Sequence, residues 1–246
     1  MLSRSAIAWK WRVCGVFRDS HPFPLTPTRR AVELRLNQVN LAMTRPATPR
    51  ITRLTRNQVD AKSGEIFDRM MQQRGNVPNM FRTLAHRPEI FQTAIAHLEA
   101  VINTGTLSPK LKELVVVRTS QMNGCEYCLA SHSRIAIKLG WTQQHLDEAA
   151  NFGSSTLFTP MEKTALHLAE RMTLNEAPVT QDEFHSLREF FSEGEIVELM
   201  AACGLFNYFN RFNNFLDMEP TRNASETSAS EPAVLEHQHH EVVARK

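Results

Sequence analysis

Two cysteines, Cys125 and Cys128, stand three residues apart, with His132 four residues beyond them and Glu113 twelve residues before. On a helix, positions i, i+3 and i+4 share a face, so Cys125, Cys128 and His132 form one predicted stripe. That stripe sets an imidazole one turn from a thiol, where it can move a proton. Asn123-Gly124 is a helix-breaking pair, so Cys125 opens the next helix. Unpaired backbone N–H groups and the positive end of the helix dipole lie there, and both favour thiolate over thiol. A free thiol with a pKa near 8.5 is only about 3% ionised at pH 7; lowering the value to about 7 ionises about half of it. Mid-helix residues at i and i+3 hold their Cβ atoms about 5–6 Å apart, whereas a disulfide needs about 3.5–4.5 Å. Only a loose first turn closes that gap, so the placement suits a bond that forms and opens. The expected chemistry is thiol–disulfide or peroxide chemistry.

Glu113 belongs to the preceding helix. A tight turn at Asn123-Gly124 lets the two helices fold back on each other and brings Glu113 towards His132 or a bound water, a carboxylate orienting a base. The plainer alternative is an exposed helix glutamate. Zinc is a second reading of the pair, because Cys125, Cys128 and His132 offer three ligands, but a second Cys/His pair at structural-zinc spacing is missing. Two buried thiols without a task are the third. Cys203, inside Met200-Ala201-Ala202-Cys203-Gly204-Leu205, reads as a small buried hydrophobe. His97, His167 and His185 read as structural or surface groups. The aromatic run Phe206, Tyr208, Phe209, Phe212 and Phe215 reads as core or subunit interface, and Asn207 and Arg211 among them could line a site.

The elements that must position these residues are all predicted helices. Gln58 to Arg74 is amphipathic and stops at Gly75, and Asn79 is expected to cap a short helix through His86. Pro88 opens a helix to Asn103 that ends at Gly105. Ser108-Pro109 supplies a capping hydroxyl and a first-turn proline for a helix over 110–122 that carries Glu113. The cysteine helix runs 125–139 to Gly140, and Thr142 caps another through Phe152. Thr159 with Glu162, Thr180 with Glu183 and Ser192 with Glu195 have capping-box spacing, for helices ending near Leu174, Phe191 and Leu216. No long period-two alternation occurs, and Val115-Val116-Val117 lies within a well-capped helix.

Composition agrees. A chain of 246 residues that is 42% hydrophobic can build a sizeable core, and two Tyr and nine Gly lean towards helix. No apolar run is long enough for a membrane span. The net charge of +2 hides an asymmetry. Residues 1–50 hold nine Lys or Arg and two acids, a balance of +7, whereas the remaining 19 basic and 24 acidic groups give −5. The body therefore has no nucleic-acid footprint. Residues 1–50, with five prolines and Cys14, read as a disordered or misassigned extension, with Met43 the preferred start over a transit peptide. A helical domain is expected over 51–218 and a disordered tail over 219–246, whose His237, His239 and His240 form no designed metal site. Four cysteines make no disulfide scaffold, and a cytoplasmic setting is expected.

The string Glu113-x11-Cys125-x-x-Cys128-x3-His132 resembles the alkylhydroperoxidase D and carboxymuconolactone decarboxylase-like family. The likeness extends to Gly75-Asn76-Val77-Pro78-Asn79-Met80-Phe81-Arg82, His86-Arg87-Pro88-Glu89, Leu107 to Leu114, Glu195 to Leu199 and Asn207 to Asn214, about residues 50–218. The resemblance implies a compact all-α fold, often assembled as trimers or hexamers. It implies that Cys128 attacks a hydroperoxide, that Cys125 resolves it, and that His132 and Glu113 relay protons. An external thiol or dithiol would recharge the pair, with no bound organic cofactor and no metal. The well-studied peroxidase has a histidine just before its second cysteine; here Tyr127 stands there, which implies a weaker relay. The decarboxylase branch typically lacks the cysteine pair. Three functions follow: a thiol peroxidase, a decarboxylase or isomerase acting on a cyclic or aromatic-derived acid without cysteine cycling, and a redox sensor without turnover.

Overall fold

The computed structural model describes residues 48–221. Cys14, the tail histidines and nearly all of the expected extension lie outside them. Among the described residues the chain forms nine α-helices and no strand. They are α1 (Ala61–Arg74), α2 (Asn79–Leu84), α3 (Pro88–Asn103), α4 (Pro109–Met122), α5 (Glu126–Lys138), α6 (Gln143–Glu148), α7 (Pro160–Leu174), α8 (Gln181–Phe190) and α9 (Glu193–Phe215). The all-α class expected from the sequence is the class observed.

The start signals act as read. The Ser108 hydroxyl accepts from Leu111 N at 3.2 Å. Thr159–Glu162, Thr180–Glu183 and Ser192–Glu195 each close a reciprocal capping box. Each such cap contributes about 1 kcal/mol to its helix. Two expectations are corrected. Asn79 is the first residue of α2, not its cap; Pro78 takes the cap position, and the Asn79 side chain donates instead to the Glu219 carbonyl at 3.3 Å. The helix capped by Thr142 ends at Glu148 and passes into a 3-10 turn over Ala149–Asn151.

Helix α4 is the centre. It packs against α5, α7 and α9, and more lightly against α3 and α6. Leu111 through Val117 are all buried, polar Lys112 and Glu113 included. A helix buried all round needs no single apolar stripe, and burial of Val115, Val116 and Val117 outweighs their weaker helix propensity. Two apolar clusters flank it. One gathers Phe67, Phe81, Phe91, Val116, Phe206 and Phe209 with Cys125 and Cys128; the other gathers Leu114, Val115, Val117, Trp141, Leu166, Leu199 and Cys203.

The loop from α3 to α4 is fastened by charge. Lys112, 1% exposed, places its ammonium 2.8 Å from Glu198 of α9 and donates to the carbonyls of Val101 at 3.0 Å and Thr104 at 2.5 Å. Glu198 also accepts from the Thr106 and Leu107 N–H groups at 2.8 and 3.3 Å. Gly105 sits between at φ +89°, where a Cβ would lie 2.2 Å from the Glu198 carboxyl carbon. Glycine is required there by both the backbone and the close approach.

Candidate active site

Helix α4 ends at Asn123, and Gly124, at φ +58°, reverses the chain. The Cys125 N–H donates to Ser120 O at 2.9 Å, and Cys125 becomes the residue that caps α5. Helices α4 and α5 then pack side by side. The fold-back brings Glu113 and His132, nineteen residues apart, into contact: His132 Nδ1 lies 2.5 Å from Glu113 Oε1. The pairing weighed from the sequence against an exposed glutamate is present. Glu113 is 3% exposed, and a carboxylate so deep requires a partner. The Phe206 ring meets the His132 ring edge-on with centroids 4.7 Å apart. With Nδ1 held by Glu113, Nε2 is the nitrogen left to exchange a proton.

Both thiols are free and buried, Cys125 at 0% and Cys128 at 3% exposure. The two sulfurs do not share charge equally. The Cys125 thiol is pushed down from 9.0 to about 7, first by a hydrogen bond from Cys128, against the cost of burial, with help from the Cys128 backbone N–H and the amides of Asn210 and Asn213. The Cys128 thiol is pushed up, first because its proton is engaged by Cys125 and then by burial. One thiolate resting on Cys125, with Cys128 as donor, is the physical picture. The Cys128 thiol is the first cause, and the Cys128 backbone N–H in the first turn of α5 comes next among the groups that lower the Cys125 pKa, ahead of the side-chain amides.

Those amides went unread in the sequence. Asn213 Nδ2 lies 3.4 Å from Cys128 Sγ and 3.3 Å from Met80 Sδ. Asn210 Nδ2 donates to Ser120 Oγ at 3.1 Å, and its Oδ1 accepts from Asn123 Nδ2 at 3.1 Å. Asn123 also donates to Asn207 Oδ1 at 3.0 Å. Helix α9 thus holds the turn before Cys125 through Asn207, Asn210 and Asn214, whose Nδ2 donates to Asn123 O at 2.7 Å, and reaches Cys128 itself through Asn213. The available signal was asparagine at 207, 210 and 213 in a helix otherwise apolar on that face. Arg211 bonds Asn207, at its carbonyl (3.0 Å) and Oδ1 (2.5 Å), and lies behind this network. Cys203 is buried, as expected, beside Thr119 Oγ1 at 3.4 Å.

His167 pairs with Glu183 at 3.1 Å, on the edge of a cavity of about 510 Å³ between α7 and α8 that contains none of the four site residues. Among the described residues no group of three or more His, Cys, Asp or Glu is arranged to hold a metal ion, and no helix is long and apolar enough to cross a membrane.

The carboxymuconolactone decarboxylase family model matches residues 88–171, the span from α3 to α7 that holds Glu113, Cys125, Cys128 and His132. The protein YdfG of Bacillus subtilis is 32% identical over 117 residues, which make up 47% of this chain and 80% of YdfG. A peroxidase-related protein with the alkylhydroperoxidase AhpD core from Ralstonia eutropha superposes with a TM-score of 0.64 at 27% identity, over 70% of this chain and 92% of that one. The debrominase Bmp8, crystallised in complex with 2,3,4-tribromopyrrole, shares the fold at 21% identity, with a TM-score of 0.62 over 74% of this chain and 96% of Bmp8. The chain belongs to the alkylhydroperoxidase D and carboxymuconolactone decarboxylase-like family.

Proposed function

We propose that this protein is a thiol-dependent peroxidase that reduces hydroperoxides through a Cys125/Cys128 dithiol–disulfide cycle. The observation that supports this most is a pair of free, buried thiols at one helix start, with His132 farther along the same helix and oriented by Glu113. The dithiol starts with one proton between its two sulfurs. The shared proton moves from Cys128 to Cys125, and the Cys128 thiolate so formed attacks the terminal peroxide oxygen; the O–O bond breaks, Cys128 becomes a sulfenic acid, and the alkoxide leaves as an alcohol. His132, oriented by Glu113, supplies the proton. Cys125 then passes its proton to His132 and attacks the sulfenic sulfur as a thiolate; the S–O bond breaks, and the hydroxide takes that proton from His132 and leaves as water. An external thiol or dithiol reduces the disulfide and carries away the two electrons as its own disulfide. The protein works as a homo-oligomer and needs no bound organic cofactor.

Peroxide consumption with a dithiol donor tests the proposal. Cys128→Ser abolishes turnover, and Cys125→Ser accumulates a Cys128 sulfenic acid or a mixed disulfide with the donor. The mirror-image pattern makes Cys125 the attacking thiol. Full turnover in both variants rules out the cycle. Consumption of a lactone acid by the double serine variant supports the decarboxylase-like alternative instead.

A further inference from the structure

The two sulfurs are almost wholly buried, and the chain just after α9 joins the apolar cluster that holds them. Asp217 turns at φ +48°, and Met218 N donates to Asn213 O at 2.9 Å. The Met218 side chain, 7% exposed, joins the same apolar cluster as Cys125, Tyr127 and Cys128. The chain then runs back past the start of α2 as a short strap. Asn79 donates through its side chain to Glu219 O at 3.3 Å and through its backbone N–H to Thr221 Oγ1 at 2.9 Å. Arg53 lies 2.6 Å from Glu219. A disordered tail is expected from Glu219 onward, yet Glu219 and Thr221 are held by these bonds.

Tyr127 closes the arrangement. It sits between the two cysteines in sequence, is 8% exposed, and shares a hydrogen bond with Thr221 Oγ1 at 3.1 Å while accepting from Met80 N at 3.1 Å. The strap is thus tied to the cysteine segment itself. A hydroxyl at this position is specific: phenylalanine would fill the same space and lose both bonds.

We propose that the Tyr127–Thr221 hydrogen bond latches the strap Met218–Thr221 over the cysteine pair, so that lifting the strap sets how fast reagents reach Cys125 and Cys128. Tyr127 acts here as a positioning residue, through the strap and not on the reacting atoms. The inference concerns access to the site in the peroxidase proposal and extends that reading to its regulation. Four hydrogen bonds, one ion pair and one buried methionine make a small cooperative unit, of the kind that opens locally while the rest of the fold stays closed.

Site-resolved alkylation of the reduced full-length protein with iodoacetamide, read by mass mapping, tests this without any peroxide turnover. It therefore succeeds or fails independently of the peroxidase assignment. When opening is fast relative to modification, the labelling rate follows the open population. Thr221→Ala and Tyr127→Phe each speed labelling of the pair by about fivefold to tenfold, the factor that loss of a hydrogen bond brings. Thr221→Ser restores the wild-type rate. Cys203, at 0% exposure in the other apolar cluster, keeps its slow rate throughout. Unchanged labelling of the pair in Thr221→Ala overturns the latch. So does a parallel rise at Cys203, which would mean general loosening of the fold.

Discussion

Cys125 and Cys128 share one helix start but not one acidity. The folded value of Cys125 lies below its ordinary 9.0, so its ionisation stabilises the reduced fold fully above about pH 9, and that contribution is lost as the pH falls through about 7. Cys128 acts in the opposite sense, because its raised value makes the folded state hold a proton that the unfolded chain releases near pH 9. Reduced protein should therefore gain stability from pH 7 to 9 and give it back above. The thiolate absorbance of the reduced protein, with Cys125→Ser as reference, should rise with a midpoint near pH 7; a single rise near pH 9 would contradict the assignment of the charge to Cys125. At this scale the sequence was legible where chemistry follows chain spacing. The Glu113–His132 contact and the place of Cys125 at a helix start were readable because helical periodicity and one reversing turn suffice to produce them. Asn210 and Asn213 were missed because their role depends on which face α9 turns to the cysteines, and that is decided by packing from across the molecule.

Single elements were most legible at their starts. A hydroxyl three residues before a glutamate satisfies two backbone donors within one turn, so Thr159, Thr180 and Ser192 need nothing from the rest of the fold. Asn79 falls one position inside the helix, and its side chain meets a distant segment instead. The tie between Lys112, Glu198 and the 104–107 loop was equally hidden, since it spans eighty-six positions of sequence from Lys112 to Glu198. Gly105→Ala probes that element. A Cβ there strains a positive φ and displaces the Glu198 carboxylate from Lys112, Thr106 and Leu107. A loss on the order of 3 kcal/mol is expected in urea denaturation, since breaking a buried pair costs about 3–5 kcal/mol and partial relaxation offsets some of it. A loss below about 0.5 kcal/mol, the range of ordinary surface substitutions, would show that the loop is not held this way.

Across the whole molecule, α9 leaves one face open. Val197, Met200, Tyr208 and Phe215 are 64, 43, 43 and 81% exposed. Their spacing of three, eight and seven residues keeps them near one side of the helix, with Gly204 between and open space where its Cβ would be. The stripe is about 27 Å long. Apolar side chains in such a row suit a second copy of the chain, in keeping with the homo-oligomer the resemblance implies. Light scattering should find an assembly in solution, and Phe215→Glu should shift it towards the monomer. A wild-type monomer at working concentration would refute the assignment of this face. The all-α class and the helix order were readable at this scale, because composition and caps are local properties. The partition into two apolar clusters around α4 was not, because every residue of α4 from 111 to 117 is buried and offers no single face to read.

That burial carries a consequence for accuracy in folding. Lys112 and Glu113 are neighbours in the chain, yet one meets Glu198 and the other meets His132. Were α4 to settle one residue out of place in one direction, Glu113 would occupy the seat opposite Glu198, and His132 would face Leu114. In the other direction Lys112 would be pressed against His132, and Glu198 would face Leu111. Each misalignment buries a like-charge contact or strands an ion, at a cost of several kcal/mol. An apolar helix alone would slide with little to stop it. The two adjacent opposite charges act as a key cut for one position in the lock, and the same key delivers the glutamate to the histidine.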